Sequence, residues 1–438
     1  MFSSISRFFR QVAVPPQYHA TFRHLYHDIA WFGVLSGSVV NFMSIYATRI
    51  GATGLQIGLI GAMSAVVNLF LAIPAGRWLS KRNINRAIFW TSVFHRIGFI
   101  FFIFLPWLFN DADQVIAIIL ITFFMAIPLT PLGVGFNALF AEAVPDRFRA
   151  HVAGMRNIML AITFILTSLI SGYVLDNVPF PIGYQIVFGI GAFGAAMSSY
   201  HLYFVRPVQD DTPALQTNPQ PVSSPQGAPT TQTKTPGGFS SILRLDILST
   251  PFNKVLLALF AFHLAHNLTT PVYPLYNVRV LELNDNNIGI SQALYYLTML
   301  IGSMQLRNVV HRLGHKKVTG LGVMGMSLYP LLLAFTHEVW QFYVIALIGG
   351  FTWAWTNGAY ANYMLERIPP DDRPSHLAWY TIILNLAILG GSMGGSVIAT
   401  GIGFPSALIL FAILRILAGM SILKWDDEPC SVLRKTHP

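Results

Sequence analysis

About 20 consecutive apolar residues cross a bilayer as one helix, and such runs cannot be tucked into a water-soluble core of ordinary size. This chain carries twelve of them. They lie near 28–48, 55–79, 87–109, 115–140, 152–174, 183–205, 254–277, 288–309, 317–336, 340–364, 377–400 and 404–423. The composition agrees: 54% of the 438 residues are hydrophobic and 10% are charged, against about 25% charged in soluble domains. The fold class is therefore all-α, a polytopic membrane protein with twelve transmembrane helices in two six-helix bundles.

The twelve runs divide six and six around one long polar stretch. Residues 206–238 are rich in Pro, Thr and Gln and cannot bury enough apolar surface to fold, so they read as a flexible linker. This predicts an N-terminal bundle over 1–205, a linker over 206–252 and a C-terminal bundle over 253–438. With both termini on one side, Lys and Arg crowd that side's loops. The opposite side holds only Arg49 and Arg279, while Arg96 and Arg415 fall inside spans. That bias predicts cytoplasmic termini in a plasma-membrane protein. It also accounts for the net charge of +9 by basic loops at an anionic membrane surface, with no nucleic-acid partner. The first residues, with Phe2, Ile5, Phe8, Phe9, Arg7 and Arg10, suit either a short interfacial helix or a transit peptide. The single cysteine, Cys430, excludes a disulfide framework or thiolate cluster within one chain.

The halves are repeats. Asn137, Pro145, Asp146 and His151 recur 225 residues on as Asn362, Pro370, Asp371 and His376. Tyr46 and Arg49 recur 230 residues on as Tyr276 and Arg279, each followed by an Ile-Gly pair. A third match pairs "LSKRNINR" (79–86) with "VHRLGHKK" (310–317), both after the second run of their half. Parallel repeats of this kind place a substrate site near the bilayer midplane, between the halves.

With these features the sequence resembles the major facilitator superfamily over nearly its whole length. The family's loop motif after the second helix, roughly G-x-L-x-D-R-x-G-R-K, is matched in part by "GRWLSKRNINR" through Gly76 and Lys81. Ser80 stands at the acid position and Asn83 at the second glycine. The second copy, "RNVVHRLGHKK", keeps Arg312, Gly314, Lys316 and Lys317, with His311 at the acid position. The fourth-to-fifth connection is similar through Glu142, Pro145, Arg147, Arg149, Gly154, Arg156 and Asn157. The antiporter glycine motif of the fifth helix is missing, because "ITFILTSLISGYVLD" has only Gly172. The resemblance implies a monomeric secondary transporter of a small molecule, with no cofactor. It further implies that the first, fourth, seventh and tenth helices line a central cavity.

The midspan polar residues are the candidates for that cavity. His263, His266 and Asn267 share one face of the seventh run; His titrates near pH ~6.5, which suits a proton carrier, while a neutral His bonded to a backbone carbonyl is the plainer reading. Asn41, Thr130, Trp353, Trp355 and Asn357 complete the set. Midspan indoles suit stacking against a cyclic ligand or packing against lipid. Arg96 and Arg415 read as snorkelling or structurally paired, with ligand binding the alternative. No acid lies well inside any run, so a proton, another ion or uniport all stay open. On the cytoplasmic side, Lys81, Arg82 and Arg86 can pair with Glu142, and Arg312, Lys316 and Lys317 with Glu366; Arg147, Arg149, Arg156 and Arg373 join this candidate gate, for which topology alone is the simpler explanation. The His263/His266 pair lacks a carboxylate or thiolate companion for a metal, and "GIGAFG" (189–194) has no preceding strand to make it a nucleotide loop. A polytopic membrane enzyme would place a nucleophile or metal cluster near one interface, and a sensor would add a soluble domain; neither is found. A lipid or drug exporter is an alternative within the transporter class.

Overall fold

The structure, a computed structural model, describes residues 14–206, 244–369 and 372–425. The predicted N-terminal interfacial segment, most of the linker, Pro370, Asp371 and Cys430 lie outside them. The described chain is almost wholly helical. Its spans are α1 (Pro16–Arg49), α2 (Gly54–Leu79), α3 (Ile84–Leu108), α4 (Asp111–Ala143), α5 (Asp146–Asn177), α6 (Ile182–Tyr203), α7 (Phe252–Arg279), α10 (Val339–Leu365), α11 (Arg373–Ile402) and α12 (Phe404–Lys424). Between α7 and α10 runs Asp285–Gly325, broken at Gly314 (φ 76°, ψ 160°). Its first limb, 285–313, is α8; its second, continuing through Leu328–Leu333, is α9. Nine helices among the described residues are long and apolar enough to cross a membrane; α8, the broken α9 and α10 complete twelve.

Side-chain caps fix several of the turns. Thr53 accepts from the Gln56 N–H in a capping box, and Asn83, Asn110 and Asn284 each accept from the N–H three residues on, satisfying donors that a helix start leaves open. Gly314 sits where only glycine is unstrained, so the α8–α9 reversal is written at that residue. Helix α1 begins well before the apolar run, at Pro16. Backbone bonding continues past the bilayer edge through His19, Arg23, His24 and His27, where apolarity stops but helix propensity does not.

Packing differs at the two faces. At the face opposite the termini, here the far face, one apolar cluster joins both halves: Leu35, Val39, Phe42 and Tyr46 share it with Leu268, Val272, Leu275 and Phe411. At the terminal face the core is split. Tyr18, Phe22, Leu25, Ile88 and Leu139 form a cluster within the N-terminal bundle, and Phe252, Leu256, Leu259, Tyr363 and Ile422 form another within the C-terminal bundle. The halves meet along α2–α11, α5–α8 and the outer ends of α1 and α7. Contact is backbone-close where small residues line it, as expected in lipid, where no hydrophobic force joins helices. A Cβ built on Gly58 would stand 2.2 Å from the Ser392 carbonyl oxygen across the seam.

Candidate functional site

Helix α7 brings His263 and His266 to α10 and α11. The His263 Nε2 lies 3.0 Å from the Tyr380 hydroxyl of α11, and its ring meets Tyr360 of α10 edge-on at 5.8 Å. The His266 ring stacks on Trp353 of α10 at 5.1 Å and 18°. Its Nδ1 is buried without a hydrogen-bond partner. Trp353, Asn357 and Tyr360 follow at i, i+4 and i+7, one face of α10, and Asn357 on that face is exposed. Asn267 donates to the His263 carbonyl at 2.7 Å and backs onto Gly391 of α11. Trp355 turns away, its ring tilted against Phe351 at 4.9 Å and 51° with its buried indole N–H unpartnered. The structure therefore brings His263, His266, Asn267, Trp353 and Asn357 together and leaves Trp355 apart. Tyr360 and Tyr380 join them unforeseen; Tyr360 had a signal in its helical register with Trp353, Tyr380 had none. The cluster offers flat aromatic faces, an amide and imidazole nitrogens, which suit stacking and hydrogen bonding rather than bond-making chemistry.

The two N-terminal candidates sit elsewhere. Thr130 is buried and donates to Asn68 of α2 at 2.6 Å. Asn41 donates to Ser168 of α5 at 3.3 Å, and Ser168 in turn to the Gly289 carbonyl of α8 at 3.0 Å, so Asn41 belongs to the seam. Phe164 and Tyr296 stack across the same seam at 3.6 Å. Deeper toward the terminal face, Asp28 is 3% exposed. It accepts from Ser198 at 2.6 Å and faces Arg156 at 3.4 Å and Arg96 at 3.8 Å. Arg96 is thus buried and paired rather than snorkelled.

The far face is locked by two reciprocal arginines. Arg49 of α1 donates to Asp285 of α8 at 2.8 Å and to the Leu283 carbonyl at 2.9 Å; Tyr184 of α6 holds the other carboxylate oxygen at 2.8 Å. Arg279 of α7 reaches the opposite way, donating to the Ala52 carbonyl at 2.6 Å and toward that of Thr48 at 3.5 Å. The 230-residue repeat of Arg49 and Arg279 was the sequence signal for this clasp. Among the described residues, the hydrogen bonds joining the halves all run from this clasp down to Ser168.

At the terminal face Arg82, Arg147, Arg149 and Glu366 make contacts within their own halves. Lys81, Arg86 and Glu142 are exposed, and Arg82 lies 4.7 Å over the Trp78 ring. Gly76 is half-buried with open space beside it. Arg147 lies over Phe148, while Arg149 pairs with Asp146 and donates to the Val144 carbonyl at 3.0 Å. Arg156 is the Asp28 partner above. Glu366 is met by His315 at 2.5 Å and Arg367 at 3.5 Å; Arg312, Lys317 and Arg373 are exposed and Lys316 is half-buried. Just before α7, a 3₁₀ turn (Leu245–Ser249) buries Ile247 in the C-terminal bundle. Arg244 grips both oxygens of Asp246 and reaches Asp372 before α11 at 3.2 Å. That grip holds the Asp246 carboxyl below the usual carboxylate range.

Twelve helices in two related bundles, with a polar cluster between one closed and one divided end, define a transporter-type membrane fold. The chain matches the Major Facilitator Superfamily over residues 29–284 and 255–437, and it belongs to that family. Among curated relatives it is 29% identical to the class B tetracycline resistance protein of Escherichia coli over 33% of this chain and 35% of that one. It is 24% identical to the cis,cis-muconate transport protein of Acinetobacter baylyi over 64% of this chain and 63% of that one. The matches thus span between about a third and two thirds of those relatives. Solved structures share the fold: a bacterial homologue of the iron transporter ferroportin in an inward-facing state (TM-score 0.68, 15% identity, 95% of this chain and 100% of that one) and the E. coli xylose transporter XylE (TM-score 0.65, 12% identity, 94% and 98%).

Proposed function

We propose that this chain is a secondary active transporter that carries a small molecule across the plasma membrane by alternating access, with both termini cytoplasmic. The bundles 1–205 and 253–438 rock about the seam as a monomer, with 206–252 between them. One observation carries the reading: among the described residues, the apolar core and the hydrogen bonds that bridge the halves lie toward the far face, while the terminal-face cores are separate. By the positive-inside bias this is the state open to the cytoplasm. The cargo site is the cluster of His263, His266, Asn267, Trp353, Asn357, Tyr360 and Tyr380, suited to a flat molecule with hydrogen-bonding groups. The relatives named for tetracycline resistance and cis,cis-muconate transport are consistent with such cargo. If a proton drives transport, His263 and His266 of this cluster are the carriers we put forward. In the alternate state, the exposed Lys81, Arg82, Arg86, Glu142, Arg312, Lys317, Glu366 and Arg373 close the cytoplasmic gate.

Uptake into proteoliposomes across a panel of flat organic solutes, with and without a proton gradient, tests this. The expected result is saturable uptake that His266→Ala weakens by about tenfold, ~1.4 kcal/mol of binding. Unchanged kinetics in that variant remove His266 from the site, and uptake indifferent to the gradient removes the proton.

A further inference from the structure

The midspan of α12 holds a charge that the transport reading does not use. Arg415 is 1% exposed, and among the described residues no carboxylate pairs with it. Its guanidinium instead donates to backbone. Nη1 reaches the Met326 carbonyl of α9 at 2.9 Å; Nη2 reaches the His266 carbonyl of α7 at 3.2 Å, the Thr269 hydroxyl, and the Tyr273 hydroxyl at 3.4 Å.

The sequence explains the first of those acceptors, and the helix break of α7 the second. Met326 stands four residues before Pro330, which has no N–H to give its carbonyl. In α7 the regular helix stops at Thr269 and resumes at Val272, across Thr270 and Pro271. The His266 carbonyl there gathers side-chain donors, from Thr269 at 2.7 Å and from Arg415. In lipid a freed carbonyl needs another donor, and a guanidinium is the side chain that can serve several acceptors at once in fixed geometry. A lysine ammonium is a single point and cannot span the same fork.

We propose that Arg415 is a positioning residue for the cargo site: it pins the proline breaks of α7 and α9 and so sets His266 against Trp353. This rests on the site reading given above. The His266 backbone is held from behind by α12, while its ring faces α10, so loss of the pin frees the ring that stacks on Trp353.

The test needs no cargo. Protein in lipid nanodiscs is compared by hydrogen–deuterium exchange over 263–272 and 322–333. Trp353 emission is read as the difference between each protein and its Trp353→Phe counterpart. Arg415→Met is expected to speed exchange in both segments by about tenfold or more and to alter Trp353 emission. Adding Pro330→Ala supplies the missing N–H, so 322–333 is expected to return toward wild-type protection while 263–272 stays fast. Arg415→Lys keeps the charge and is expected to leave at least one segment fast, which keeps the test valid where the Met variant does not fold. Wild-type exchange and emission in Arg415→Met overturn the proposal; so does an effect on 322–333 that Pro330→Ala leaves unchanged. Altered emission with His266→Ala uptake unchanged would keep the pin and discard the cargo-site reading.

Discussion

At the scale of single residues, the buried charges are the unusual expense of this protein. A guanidinium midway through a bilayer is tolerated only when its donors are met. Arg96 and Arg156 meet one carboxylate, Asp28, with Ser198 and Ser199 completing the network. Arg156 also lies over the Phe136 ring at 4.7 Å. Asp28→Asn leaves two guanidiniums facing a neutral amide. Breaking a buried ion pair costs about 3–5 kcal/mol, so the variant is expected to unfold at clearly lower temperature in detergent; an unchanged melting curve would show that the arginines are satisfied without the carboxylate. His263 and His266 follow the same logic of buried polar groups held by their neighbours. One is bonded to Tyr380 and the other stacked on Trp353, so an imidazole in this bundle is a fitted group before it is a carrier.

At the scale of elements, small residues decide how near two helices come. Gly58 of α2 leaves no room for a methyl against the Ser392 carbonyl of α11, and backbone cannot step aside as a side-chain tip can. Gly58→Ala is expected to pry the far ends of α2 and α11 apart, shifting the protein toward the state closed at the terminal face. Faster labelling of a cysteine placed at Ser396 on the seam is the measurement, and labelling at the wild-type rate would refute it. Gly314 has a different reason, its positive φ, and Gly314→Val at such a position costs about 1–3 kcal/mol, readable in the same thermal assay. The Arg244 grip on Asp246 gives a pH expectation. A depressed carboxylate contributes its stabilisation above its ordinary pKa near ~3.9 and loses it as pH falls through the depressed value. Exchange over 244–250, corrected for its intrinsic rate, is therefore expected to be flat from about pH 5 to 8 and to rise only in stronger acid.

At the scale of the whole molecule, the clasp is built twice, once from each repeat. Arg49 and Arg279 occupy equivalent positions, and each donates to backbone of the opposite half; Asp285 adds a carboxylate on one side only. Arg49→Ala with Arg279→Ala is expected to unlock the far face. Spin labels at Asn83 and Arg312, on the terminal face of the two halves, would then show a shorter distance population than in the wild type. An unaltered distribution would mean that the apolar cluster alone holds the far face shut.

The sequence by itself determined the twelve crossings, the two-bundle repeat and the family, because lipid forces long apolar helices and repeats leave fixed offsets. It placed His263, His266, Asn267, Trp353 and Asn357 on usable faces and marked Arg49 and Arg279 as a pair. It overlooked Tyr380, Asp285 and the buried setting of Asp28, and it did not foresee that Asn41 bonds Ser168, Thr130 bonds Asn68 and Trp355 packs on Phe351. Hydropathy and helical register act within one helix, whereas partner choice between helices depends on how they pack. Which face is closed, which arginine answers which carbonyl and which ring lies against His266 are set by contacts between residues on different helices, far apart along the chain, and only the tertiary structure decides those.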